Sequence, residues 1–228
     1  MRPNPPGILG SLAIASVLLM GGALSLGAQA QGPAFSVGAA SGYQSGLSLQ
    51  AFGVVENFAQ GLPVQARLRM GYTTLEPGSA GQARRIFINT ATNGTPEKRG
   101  HTWDMGLDLL VRRNQRTNFF VGVRRTAFLA NFKFVGGNED FDVTSTHWGV
   151  GGGLEANYPV GRRAALVLAG GVDYYFPSRL QGHDTSYSPG NDNVNPREDF
   201  TYADADNAIA QPVLRPVVLV GLRWRLGR

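Results

Sequence analysis

The sequence predicts an all-β protein: an eight-stranded antiparallel up-and-down transmembrane β-barrel that follows a cleaved N-terminal signal peptide. Three observations carry this. Apolar and polar residues alternate with period two through most of the chain after residue 31, and helical periodicity is missing there. Most of the alternating segments reach the roughly 9–11 residues that a tilted strand needs to cross a hydrocarbon layer. Short connections at one end of the strands face longer loops at the other.

The first thirty residues stand apart. Arg2 precedes an apolar run from Ile8 to Leu26, and the small-residue site Ala28-Gln29-Ala30 follows. A basic start, an apolar middle and an A-x-A site in that order form a secretory signal peptide, so the chain divides into 1–30 (signal) and 31–228 (barrel domain). The run is close to the length of a membrane helix, but the A-x-A site and the abrupt change to alternation favour cleavage. The chain has no cysteine, which excludes disulfides, thiolate metal sites and cysteine nucleophiles. Its formal charge of +5 would lose only Arg2 with the signal and become +4. These charges do not gather on one face, so no nucleic acid partner is expected.

Strand candidates fall at 34–43, 46–56, 63–75, 101–113, 118–135, 143–158, 164–177 and 212–226. In VQARLRMGYT (64–73), Val64, Ala66, Leu68, Met70 and Tyr72 oppose Gln65, Arg67, Arg69, Gly71 and Thr73. Trp103, Met105, Leu107, Leu109 and Val111 likewise oppose Asp104, Gly106, Asp108, Leu110 and Arg112. HWGVGGGLEANY (147–158) alternates too, which makes its glycines strand residues. The spacing fails the dinucleotide fingerprint, and no Gly-Lys-Ser/Thr is present for a phosphate loop. In the fifth candidate Phe119, Val121 and Val123 share one parity, whereas Phe128, Ala130, Phe132 and Phe134 take the other. A bulge near Arg124-Arg125 is the expected cause.

Lipid cannot satisfy exposed backbone polar groups, so a sheet in lipid must close on itself and turn its apolar face outward. Aromatic residues toward the ends of the apolar faces (Trp103, Trp148, Tyr158, Tyr174, Trp224) fit interfacial girdles. The inward set then contains Glu56, Arg67, Arg69, Asp104, Asp108, Arg112, Glu155, Asp173, Arg215, Arg223 and Arg225, with Arg124 or Arg125 open. An eight-stranded barrel is just wide enough for side chains to fill it. These charges are therefore expected to pair across the lumen, with inward glycines making room for arginine.

The chain resembles the small eight-stranded bacterial outer-membrane barrels, the OmpA/OmpX-like group. The likeness rests on the signal peptide, strand count, loop asymmetry and last strand, and spans nearly the whole mature length. In VVLVGLRWRLGR, Gly221, Trp224 and Leu226 resemble that group's C-terminal assembly signal. Leu226 stands where the family usually ends on Phe, and Gly227-Arg228 extend beyond it. The resemblance implies a porin-like envelope protein in the cell outer membrane of a Gram-negative-type envelope. Its partners would be outer-membrane lipid, surface glycolipid, the barrel-assembly machinery and other envelope proteins. Its role would be structural or one of surface interaction, through exposed loops 76–100 and 178–211.

No catalytic residue, cofactor or metal site is assigned. Ser145 and His147 share a strand face, as a nucleophile and base require, but reverse the His-x-Ser order of the lipid A deacylases they would resemble. The loop 178–211 carries six acidic residues against Arg179 and Arg197 without the spacing of a calcium loop; it reads as a solvated acidic loop. The same parity also serves a secreted calycin-like ligand-binding barrel with its faces reversed. A small channel and a lipid A-modifying enzyme are the remaining alternatives.

Overall fold

The computed structural model describes residues 32–58 and 62–227; the signal peptide expected at 1–30 lies outside the described residues. Its elements are β1 (Ala34–Gln44), β2 (Leu47–Glu56), β3 (Val64–Leu75), α1 (Ala80–Phe87), β4 (Thr95–Arg112), β5 (Thr117–Val135), β6 (Asp140–Pro159), β7 (Ala164–Tyr175), β8 (Leu180–Gln181), β9 (Ser186–Tyr187), α2 (Tyr202–Ala208) and β10 (Leu214–Leu226). Strands β1 to β7 pair in sequence order, β7 pairs with β10, and β10 returns to β1. That last seam runs from Phe35 opposite Leu226 to Gln44 opposite Val217. The result is a closed, antiparallel, eight-stranded β-barrel. Closure leaves no row of unpaired backbone groups on an edge.

The connections after β2, β4 and β6 form one end of the barrel, the turn end, together with the outset of β1 and the close of β10. The other is the cap end. There β4, β5 and β6, at 18, 19 and 20 residues, outreach the 10 to 13 residues of the remaining barrel strands. Everything else in the fold gathers on this raised three-stranded wall. Helices α1 and α2 and the short strands β8 and β9 pack against it. Ile86, Phe87, Leu180, Tyr187, Ala205 and Ile209 from these pieces form one buried cluster with Phe128, Phe132, Phe134, Phe141 and Val143 of β5 and β6.

Two expectations are corrected here. No bulge interrupts β5, whose register against β4 runs unbroken from Asn118 opposite Arg112 to Val135 opposite Thr95. Its register against β6 is equally continuous. Even-numbered residues of β5 point inward throughout. What changes near Thr126 is the surrounding medium, because inward residues meet polar lumen below that level and the apolar cap above it. On the outward face the change is reversed. Apolar residues reach Trp103, Ala127 and Leu129, and beyond them stand Arg99, Asn131, Lys133, Asp140 and Asp142.

The long connections are the second correction. Neither 76–100 nor 178–211 is a purely solvated loop. Ala80, Ala83, Ile86 and Phe87 put the buried face of α1 into the cap. The acidic segment supplies Leu180, Tyr187, Ala205 and Ile209, while its charges stay outside. Helix α2 is started by Thr201, whose hydroxyl accepts from the Asp204 amide while the Asp204 carboxylate accepts from the Thr201 amide at 2.8 Å. This reciprocal box satisfies two amides that a helix start leaves free.

Candidate functional site: the ionic lumen

At mid-height three arginines meet three carboxylates. Arg67 on β3 donates from Nε to Asp108 Oδ2 at 2.9 Å and also binds Glu155. Arg69 reaches Asp173 at 2.7 Å. Arg124 bridges Asp173 at 2.8 Å and Asp108 at 2.5 Å. Asp108 and Asp173 are both fully buried. Charges so far from water persist only when paired and hydrogen-bonded, and here each acid has at least one guanidinium.

Alternation explains this density. Period two sends every second residue of each strand into a cylinder just wide enough for side chains, so long guanidinium arms from one wall meet acids on the other. Room comes from glycine. A Cβ at Gly106 would stand 2.6 Å from Arg69 Nε, and one at Gly151 would collide with Asp173 Oδ1 and the Arg124 guanidinium.

Toward the cap, Asp104 accepts from Thr102 at 2.9 Å, Thr73 at 3.2 Å and Arg215 at 3.1 Å. Toward the turn end, Glu56 binds Arg223 and lies 3.5 Å from Arg225 and 3.8 Å from Arg112. Arg112 and Arg225 therefore stand at the mouth, about half exposed. Arg124 is the inward member of its pair. Arg125 faces outward, its guanidinium 5.2 Å from the ring of Trp148 in the cap-end aromatic girdle.

Several partners were not foreseen from sequence. Gln44 donates to Asp173 at 3.1 Å and accepts from Gln50 at 2.7 Å. Phe120 points inward beneath Arg67, whose guanidinium carbon lies 4.9 Å from the ring centroid. The even parity of Phe120 was the available signal, obscured by the neighbouring outward Phe119.

Ser145 and His147 do meet. His147 Nδ1 lies 3.0 Å from the Phe176 carbonyl, which can only accept, so Nδ1 carries the proton and Nε2 accepts from Ser145 Oγ at 2.7 Å. Both residues are sealed at the junction of lumen and cap, 6% and 1% exposed, which keeps a substrate from the hydroxyl. On β10, Trp224 and Leu226 face outward, whereas Gly221 faces inward against Ala40.

The cap has its own ionic tie. Arg84, buried on α1, donates to the Asn93 carbonyl at 2.7 Å, binds Glu139 and lies over the Phe134 ring. The Arg84 hydrogen bond, seconded by Asn89, holds the Glu139 carboxyl below the usual glutamate range. A depressed carboxylate stabilises the fold above its unfolded pKa, about 4.3 for Glu, and that contribution fades as pH falls through the lowered folded value. Acidification from pH 7 to pH 3 is therefore expected to lower amide protection, taken relative to the intrinsic exchange rate at each pH, in α1 and residues 89–94 before the barrel strands. Glu139→Gln should flatten that dependence; an equal response in both proteins would place the acid sensitivity elsewhere.

Fold and interior together define the class: a small closed barrel, apolar outside and ionic inside. No protein-family model matches the chain, and no curated protein matches it. Among solved structures it is similar to a major outer membrane protein from Thermus thermophilus, with TM-score 0.68 and 23% identity over 86% of this chain and 100% of that one. It also matches Ail, the attachment invasion locus protein of Yersinia pestis, with TM-score 0.47 and 10% identity over 85% of this chain and 97% of that one. Neisserial surface protein A follows at TM-score 0.37 and 11% identity, over 85% and 96%.

Proposed function

We propose that this chain is an outer-membrane β-barrel, exported by its N-terminal segment, whose role is structural or one of surface interaction through the cap. The observation that carries the reading is the polarity of the eight strands. A continuous apolar outer belt, edged by Tyr72, Trp103, Trp148 and Tyr174 on the cap side and by Phe35, Phe119, Tyr158 and Trp224 on the turn side, stops where β4 to β6 rise into the cap. A belt of this kind suits hydrocarbon, with aromatic rings at its two interfaces. The likeness in fold to the Thermus outer membrane protein supports the same reading.

The lumen charges are structural in this reading. At mid-height they pair across the barrel and fill it, which disfavours both an open pore and the apolar cavity of a calycin-like carrier. Ser145 and His147 tie β6 to the segment after β7 and take no catalytic part. Outer-membrane lipid and surface glycolipid would meet the cap-side girdle at Arg125 and Trp148. Gly221, Trp224 and Leu226 would engage the barrel-assembly machinery, and other envelope proteins would meet the cap.

Leu107→Arg tests the reading. Leu107 lies midway along the apolar outward stretch of β4, between Trp103 and Val111. In a bilayer a midplane arginine costs about 2–4 kcal/mol, whereas an ordinary surface substitution in water stays within about 0.5 kcal/mol. The variant is expected to lose most of the folded, heat-modifiable band on unboiled gels of refolded vesicle samples. Full retention of that band, with recovery of the protein in a soluble fraction, would overturn the membrane assignment.

A further inference from the structure

Charge balance along the lumen changes with height. At mid-height it is even, but at the turn end a cavity of about 410 Å³ opens whose walls hold six arginines, Arg112, Arg116, Arg162, Arg163, Arg223 and Arg225, against one acid, Glu56. Arg223, Arg225 and Arg112 already converge on that carboxylate. One acid cannot balance three guanidiniums, and Arg162 and Arg163 on the β6–β7 turn make no ion pair among the described residues. Side-chain amides share the wall: Gln65, Gln115, Asn118 and Asn157. Residues of all eight barrel strands contribute, so the cavity lies on the barrel axis, walled off from the lipid belt.

We propose that this mouth binds an acidic saccharide, a sugar or short glycan carrying carboxylate or phosphate groups. The proposal relies on the membrane reading above only for the compartment it faces, the one on the turn side. Guanidinium forks match carboxylate and phosphate oxygens bidentately, and several arginines ringing one concave mouth with a single acid concentrate positive potential there. Amides both donate and accept, which suits the hydroxyls of a sugar rather than a bare anion. The volume lies in the range of small-molecule sites, about 300–1,000 Å³. Arg113 lies over the outward ring of Phe119 at 5.5 Å, on the belt side of the turn, and is not among the arginines of the mouth.

The test is calorimetric titration of the purified protein in a sugar-free zwitterionic detergent with trigalacturonate, neutral maltotriose and inorganic phosphate. Trigalacturonate is expected to bind, more weakly as salt rises, and maltotriose to give no heat of binding. Arg162→Glu/Arg163→Glu should weaken trigalacturonate by about tenfold or more. Arg85→Glu/Arg99→Glu at the cap end should leave it unchanged. Trigalacturonate binding no tighter than maltotriose, or indifferent to the turn-end pair, would overturn the site. Phosphate binding as tightly as trigalacturonate would reduce it to a bare anion site and sink the saccharide. Loss of trigalacturonate binding in phosphatidylcholine vesicles once phosphatidylglycerol is added would assign the mouth to headgroups instead. Each variant is first checked for the heat-dependent gel shift, so a failed barrel assignment is told apart from a failed site.

Discussion

Asp108→Ala is expected to cost about 3–5 kcal/mol, the range for removing one partner of a buried ion pair. Asp108 is fully buried and holds Arg67 and Arg124, with Arg69 at 3.9 Å. Removing its carboxylate leaves three guanidiniums in a closed cylinder with two acids, Glu155 and Asp173, to share. The loss arises from stranded positive charge more than from the missing hydrogen bonds. Asp108→Ala/Arg124→Met should therefore be more stable than Asp108→Ala alone, since it removes the cation together with the anion. Urea unfolding midpoints of the refolded proteins, read beside the unboiled gel band, measure this. A double variant at least as unstable as the single one would show that packing around Arg124, and not charge balance, sets the cost.

Phe132→Ala should act on a different part of the molecule. Phe132 is fully buried and its ring centroid lies 5.5 Å from that of Phe141, in the centre of the cap. Truncating a buried phenylalanine usually costs about 3–5 kcal/mol. The cap is held to the raised wall through this one apolar cluster, so that loss is expected to open it. The barrel below has its own hydrogen-bonded ladder and ion pairs and should stay closed. Limited proteolysis should cut Phe132→Ala within 178–211 at protease levels that spare the parent, with the gel shift retained. Simultaneous loss of the gel shift would mean that cap and barrel unfold as one unit.

Much of this architecture was legible from residue alternation. Seven of the eight barrel strands lie within three residues of the expected spans, and β4 begins at Thr95, six residues before its expected start, where the outward face has turned polar. Each side chain's direction follows from its place in a period of two, and both faces carry chemistry strong enough to read. Inward Arg67 and outward Leu68 leave little choice. Legibility failed where the medium changed without the backbone changing. Phe128 to Phe134 looked like a register slip because inward was assumed to mean polar, whereas the inner side there is a core. The cap helices were overlooked for a related reason: α1 and α2 are 8 and 7 residues long, shorter than the windows in which helical periodicity stands out. Thr201 and Asp204, three residues apart, were the better clue to α2. Ion partners such as Gln44 and Thr102 depend on cross-barrel distances that only the closed form brings together.

The position of two cations on the final strand bears on how the cylinder is completed. Arg215 and Arg223 belong to β10, while their acids, Asp104 and Glu56, belong to β4 and β2. A sheet assembled from β1 to β7 leaves Asp104 with hydroxyl partners but no cation, and Glu56 with Arg112 as its one cation at 3.8 Å, until the last strand arrives. An eighth strand docked one residue out of step would turn both arginines toward lipid, strip Asp104 of its cation and leave Glu56 only the more distant Arg112. Seam closure is thus proofread by charge. Partly zipped forms are penalised at two heights at once, which favours completion in a single cooperative event.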